Sequence, residues 1–471
     1  MTFTSTTFLL FCAIFFPLYY LTIERLRLNN LVVFAGSIVF YGWYHPWFVS
    51  LMLASSVTDF CLGLIIGNTK DPRARRLLLL FSIVVNIGFL SYFKYTNFLL
   101  DSFNSLARAL HTGQLDFYTH VVLPAGISFY TFQSLSYTID VYRKRVTPTR
   151  SFLSFLCFVS FFPHLIAGPI MRATTLLPQT LKRRYFDLAT AEDGIRQVLW
   201  GFAKKVIVAD NLAGPVEIVY SAPQDYSAPA MALATVFFAF QIYADFSGYS
   251  DIANGLAKML GFRLIQNFRY PYFALNIVDF WRRWHISLTS WFRDYIYLPL
   301  GGSQVETPRW LFNVAAVFLI SGLWHGANWT FVAWGAVHAL AYMVFTLVYG
   351  RHGADVQHTG PAALFSRLAT FAFVCVGWVF FRAADIPTAL SMLGRMATPA
   401  EWVWQAGFFQ VRWLAFIVVL LAVEWWCRDR EHPFSDITWS PTLRRLAYVG
   451  LMLAIVLFGA KGEGRFIYFQ F

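Results

Sequence analysis

Charge is what this sequence has least of. Only 13% of its 471 residues are Asp, Glu, Lys or Arg, against about 25% in soluble globular chains. So few charges cannot wet the surface of a soluble fold this long. Long hydrophilic stretches are also missing, which argues against an appended soluble domain. Cysteine is sparse, with Cys12, Cys61, Cys157, Cys375 and Cys427 scattered and mostly inside apolar runs. No C-x-x-C spacing occurs, so neither a disulfide framework nor a zinc site is expected. The sequence has no Walker loop, no G-x-G-x-x-G after a strand, no G-x-S-x-G elbow and no internal repeat.

What is present is apolar and aromatic. Hydrophobic residues make up 58% of the chain and aromatics 19%, including 50 Phe and 17 Trp. That composition suits a lipid-facing surface with interfacial belts. Residues 1–22 lack both a basic start and a small-residue cleavage site, so they read as a first membrane helix and not as a leader. A span needs about 20 apolar residues. Candidate segments fall near 6–22, 30–44, 48–67, 78–100, 119–140, 151–168, 196–218, 229–246, 309–325, 329–349, 363–382, 411–427 and 445–460. Some are short or polar, so the expectation is about 10 to 13 transmembrane or re-entrant helices. The predicted fold is an all-α, polytopic membrane protein forming one integral-membrane domain over 1–471, with 464–471 as an aromatic tail.

Loop charge predicts orientation. Arg25 and Arg27 follow the first span, Lys70 to Arg76 carries four cations after the third, and Arg143-Lys144-Arg145 opens the fifth loop. The second loop has no Lys or Arg, and the fourth carries Asp101 and Asp116 against Arg108. Loops one, three and five are therefore expected in the cytoplasm and the N-terminus outside. The alternation fails after residue 150, where Lys182-Arg183-Arg184 and Lys204-Lys205 flank a moderately polar region. The net charge of +12 reads as this bias plus contact with anionic lipid, or as cations that hold a polyphosphate donor. Nucleic acid is not expected, because the basic residues flank membrane segments.

Three elements between 241 and 335 carry chemistry. The first is Gln241-Ile-Tyr-Ala-Asp-Phe-Ser-Gly-Tyr-Ser-Asp251. Ionisable groups at membrane depth cost about 2.5–3.5 kcal/mol each, so Asp245 and Asp251 should face protein or water. They read as a helix break whose acids cap the next helix, or as groups that position a substrate. Gly248 allows a turn or a close approach. The second element, 276–302, is aromatic but studded with Asp279, Arg282, Arg283, Arg293 and Asp294. It is too polar for lipid and too apolar for a free loop, which fits a buried re-entrant element beside a water-filled cavity. Asp279 and Arg283 are spaced to pair along a helix. His285 is either a hydrogen-bonded core residue or a site group. The third element is Ser321-Gly-Leu-Trp-His-Gly-Ala-Asn-Trp-Thr330. His325 there is either a helix-packing residue or a base, since burial favours the neutral imidazole. Gly322 and Gly326 argue for close approach of another group.

Leu323-Trp-His-Gly-Ala-Asn328, preceded by Phe280-Trp-Arg-Arg-Trp-His-Ile-Ser287, resembles the membrane-bound O-acyltransferase family. So do Leu123 to Tyr130, Phe162 to Pro169, Asp245 to Asp251 and Gly377 to Arg382. Together the six motifs cover nearly the whole chain, in order, and resemble the family's bacterial branch of alginate-, cellulose- and teichoic-acid-acylating proteins. The resemblance implies many helices around a central tunnel, and acyl transfer from a cytoplasmic donor at a bacterial inner membrane. By motif match His325 is the family's essential histidine and His285 its second active-site position. The implied donor substrate is acetyl-CoA, an activated thioester that calls for no metal or bound cofactor.

A hydroxyl attacking that thioester must lose its proton, and a placed imidazole accelerates this by about 10²–10⁴-fold. His285 then orients His325, binds the acyl carbonyl or donates to the developing oxyanion. Arg282, Arg283, Lys204 and Lys205 are candidates to hold the coenzyme A phosphates. The tail offers Tyr468 as an acyl relay, because a phenol (pKa about 10) leaves more readily than a sugar alkoxide. Its other reading is an interfacial anchor. The acceptor implied is an extracytoplasmic polysaccharide, alginate- or cellulose-like. A periplasmic acetyltransferase and a polysaccharide synthesis complex are the expected partners. Two other functions remain compatible with the residues. One is a transporter for acyl groups or polymer, although the paired broken repeats such proteins often show are missing. The other is a structural subunit of a synthase complex.

Overall fold

A computed structural model of the chain describes residues 1–113, 121–350, 359–405 and 410–460, and among them there are helices and no strand. A backbone in lipid must satisfy its own hydrogen bonds, and helices do so within each segment. Among the described residues, six helices are long and apolar enough to cross a membrane: Trp47–Asn68, Pro72–Ala109, Ala228–Met259, Trp329–Tyr349, Gly360–Arg382 and Pro441–Phe458. The protein is a multi-pass membrane protein.

The other expected segments are helical but shorter or more polar. Thr6–Thr22 and Leu26–Gly42 have 17 residues each. Ile127–Tyr142 starts late, because Pro124 and the left-handed Gly126 precede it. Thr307–His325 reaches 19 residues, but it opens on Thr-Pro-Arg and closes on a histidine. The segment 276–302 breaks into three pieces, Ile277–Arg283, Ile286–Phe292 and the π-helical Arg293–Tyr297.

The chain divides into two compact units, Met1–Ile195 with Ala253–Ile265, and Arg196–Ile252 with Gln266–Phe471. In the first, buried polar groups tie the helices together. The Asp59 carboxylate accepts hydrogen bonds from Ser82 at 2.7 Å, from Asn86 Nδ2 at 2.9 Å and from Ser134. Those four residues come from three different helices. Arg75 donates to the carbonyls of Ile66 at 2.7 Å and Tyr142 at 2.6 Å. A cation there satisfies carbonyls that two helix ends leave open. Arg184, buried, donates to Asn29 and Asn30 Oδ1, each at 2.6 Å, and lies 4.9 Å over the Phe262 ring. It is a structural cation of the first unit.

In the second unit Thr307–His325 and Trp329–Tyr349 form a tight antiparallel hairpin. A Cβ at Gly322 would stand 2.3 Å from the Phe331 carbonyl, and one at Gly335 would stand 2.4 Å from that of Phe318. Helix Ala228–Met259 runs unbroken through Asp245 and Asp251, so the expected helix break does not occur. Gly248 serves close approach: a Cβ on it would meet the Gly201 carbonyl at 2.8 Å.

The Arg75 tie brings the loops at 68–76 and 141–150 to one end of the first unit. Lys70 and Arg145 are exposed there. Single Lys70→Cys and Arg145→Cys variants should both be labelled by a membrane-impermeant thiol reagent applied to the same face. Labelling of one from each face would contradict the arrangement.

Candidate active site

His325 is the last residue of the helix Thr307–His325, and Gly326 lets the chain leave in an extended conformation. Asn328 then starts the next helix, its Oδ1 accepting the Thr330 N–H at 3.0 Å and its Nδ2 donating to the Ala384 carbonyl at 3.0 Å. The Trp-His-Gly-Ala-Asn run is thus a helix end, a turn and a helix cap that leave the imidazole at the turn. Its ring is buried, centred 5.0 Å from Trp324, 5.1 Å from Trp334 and 5.4 Å from Phe381.

His285 sits in the break between Ile277–Arg283 and Ile286–Phe292, with φ +44° and ψ +53°. A left-handed conformation in a residue other than glycine costs about 1–3 kcal/mol and persists only where neighbours enforce it. The stretch at Asn267 enforces it here. Ile286 N–H donates to the Asn267 carbonyl at 2.8 Å, and Arg269 N–H to the Arg283 carbonyl at 3.0 Å. Asn267 Oδ1 lies 3.0 Å from His285 Nδ1 and accepts from Ser287 N–H at 3.2 Å and Ser287 Oγ at 2.9 Å. Burial pushes the His285 imidazole well below its usual pKa range, so the ring is neutral at physiological pH.

The two imidazoles are 6.4 Å apart, centre to centre. Both line a cavity of about 470 Å³, together with Arg282, Arg293, Ser321 and Tyr297. That volume lies in the range of small-ligand sites, about 300–1,000 Å³. The folding thus brings together the two histidines that the motifs singled out 40 positions apart, and adds Arg282.

The remaining cations named from sequence go elsewhere. Arg283 pairs with Asp279 at 2.7 Å, the helical spacing expected. Lys204 and Lys205 are buried where the helix widens into a π-turn at Lys204–Ala209. Lys204 Nζ reaches Asp251 at 2.6 Å and Ser247 at 2.9 Å. Lys205 Nζ reaches Asp245 at 2.7 Å and Asp210 at 2.8 Å. Three carboxylates neutralise two ammonium groups, which takes away the free charge a phosphate would need. Lys204 also lines a different, larger cavity of about 1300 Å³. The structure gives these lysines carboxylate partners, Asp210 and the two acids of the first chemical element, Asp245 and Asp251. Tyr468 and the tail 464–471 lie outside the described residues.

Sequence reasoning missed Asn267, which belongs to none of the six motifs. It also missed His338, a fully buried histidine beside Trp281, Trp334 and Gly377. Asn267 had no local signal, because its contact to His285 closes only when residues 267–269 lie along 283–287.

Comparison with known proteins gives consistent matches. The model of the MBOAT, membrane-bound O-acyltransferase family matches residues 143–382, which contain both histidines. A probable alginate O-acetylase of Pseudomonas putida is 37% identical over the full length of both chains. A peptidoglycan O-acetyltransferase of Helicobacter pylori is 36% identical, covering 77% of this chain and 72% of its own. A teichoic acid D-alanyltransferase of Bacillus subtilis is 26% identical over 54% of this chain and 68% of its own.

Removing one partner of a buried ion pair strands a charge at about 3–5 kcal/mol. Lys205→Ala should therefore lower the melting temperature and the folded yield in detergent. A wild-type melt combined with weakened binding of coenzyme A would return Lys205 to phosphate binding.

Proposed function

The chain belongs to the membrane-bound O-acyltransferase family and is an O-acyltransferase, and on that premise we propose that it takes an acetyl group from cytoplasmic acetyl-CoA for the O-acetylation of an extracytoplasmic polysaccharide. The observation that carries this reading is the pair of buried imidazoles, His285 and His325, on one cavity that Arg282 and Arg293 also line. The names of the relatives, alginate O-acetylase and peptidoglycan O-acetyltransferase, support acetyl as the group moved and a cell-envelope glycan as the acceptor class. The alginate relatives favour an alginate-like polymer. The site of action is a bacterial inner membrane, with a periplasmic acetyltransferase as partner and Tyr468 as the relay to it.

The chemistry needs little more than placement. A hydroxyl oxygen attacks the thioester carbonyl carbon, its proton passes to an imidazole nitrogen, the carbon–sulfur bond breaks and the thiolate leaves as coenzyme A. The aromatic rings around His325 keep water out, which protects the thioester from hydrolysis and strengthens every polar contact inside. Arg282, on the cavity lining, suits the phosphates of the donor, whereas Arg293 is paired with Asp294 at 2.7 Å.

Replacing His325 by alanine should cut acetyl transfer by about 10²-fold or more while leaving insertion and yield intact. Acetate content of the polymer, measured in cells with matched protein levels, reads this out. Normal acetylation would remove His325 from the mechanism. Failure of the purified wild-type protein to release coenzyme A from acetyl-CoA would remove the donor.

A further inference from the structure

One oxygen atom decides what His285 can do. The Ser287 backbone N–H can only donate, and it points at the Asn267 side-chain atom 3.2 Å away, so that atom is the carbonyl oxygen Oδ1. The same oxygen lies 3.0 Å from His285 Nδ1. Two acceptors cannot share a hydrogen bond, so Nδ1 carries the proton. The ring is buried and neutral, which leaves Nε2 as a bare lone pair, and Nε2 has no hydrogen-bond partner. Asn267 is itself fixed: it is buried, its Nδ2 reaches Ser250 Oγ at 3.3 Å, and its main chain holds the left-handed turn at His285.

We infer that Asn267 is a positioning residue that locks His285 in the Nδ1–H tautomer, which makes Nε2 of His285 a proton acceptor for the incoming hydroxyl. The inference rests on the acyl-transfer reading above and deepens it. It removes two of the three roles considered for His285, binding the acyl carbonyl and donating to a developing oxyanion, because a neutral ring held this way has no N–H at Nε2, and it adds proton acceptance as a further role. The proton balance closes. The hydroxyl O–H bond breaks and its proton goes to Nε2. The new C–O bond forms at the acyl carbon, the C–S bond breaks toward sulfur, and Nε2–H returns the proton to the thiolate. A carbonyl oxygen, unlike a carboxylate, orients the ring without adding a buried negative charge.

Two experiments on the full-length protein in lipid test this. The first is solid-state NMR of protein labelled with ring-15N histidine, with the His285 signals identified by their loss in His285→Gln. A protonated Nδ1 and a bare Nε2 are expected. A ring protonated at Nε2 overturns the inference whatever the activity, so this result stands apart from failure of the acetyl-CoA reading. The second compares Asn267→Ala and Asn267→Asp in coenzyme A release. Asn267→Ala should lower kcat about 10- to 100-fold, with KM for acetyl-CoA within twofold of wild type. Should the alanine variant not fold, Asn267→Asp keeps the acceptor and the shape. Its carboxylate stabilises the imidazolium, so the acid limb of the pH–rate profile should move up by about one unit. Wild-type kcat in the alanine variant, or an unmoved acid limb in the aspartate variant, leaves Asn267 a purely structural residue.

Discussion

A polar group enclosed by membrane helices has no water to turn to and must find its partner within the protein, and that constraint organises both units. In the first it produces the Asp59 knot, where three helices meet on one carboxylate, and the Arg184 contact to Asn29 and Asn30. In the second it produces the Lys204–Asp251 and Lys205–Asp245 pairs. Lipid supplies no hydrophobic force between helices that lie in it, so such contacts and the close glycine crossings do the work of association. Nε2 of His285 is among the buried side-chain atoms without a hydrogen-bond partner, and its residue lines the cavity.

The two histidines of the candidate site lie outside the six helices long and apolar enough to cross a membrane. The broken stretch 276–302 and the turn at 325–328 place one histidine each, and aromatic rings from Trp324, Trp334 and Phe381 close around His325. Irregular backbone at such depth is tolerated where it lines a cavity, and here it lines one of about 470 Å³. The left-handed turn at His285 is the strained element of that lining, held by the neighbouring chain at 267–269.

Much of this was legible in the sequence, for identifiable reasons. Low charge and apolar runs announce helices in lipid, and the His285 and His325 motifs stand out because aromatic and basic residues crowd segments that should be plainly apolar. Helix continuity was harder: Asp245 and Asp251 look like helix breakers until Lys204 and Lys205 arrive from another helix to neutralise them. Apolar residues also fill short helices enclosed by protein, such as the nine-residue Phe152–Ser160, so an apolar run does not by itself mark a full span. Asn267 was invisible because an asparagine in a loop has no periodicity, and its meaning depends on a partner 18 residues away.

The Arg75 clamp has a consequence for biogenesis. Its guanidinium sits at the start of one hydrophobic helix, yet one of its carbonyl partners, Tyr142, is made 67 residues later. A ribosome has therefore synthesised the helices Trp47–Asn68, Pro72–Ala109 and Ile127–Tyr142 before the clamp can close. Until then the cation at Arg75 remains solvated at the membrane surface, where it acts as a topogenic signal for the helix that follows. The same side chain thus serves twice in succession, first as a charge that fixes the direction of insertion and then as the latch that joins early-made helices to a later one.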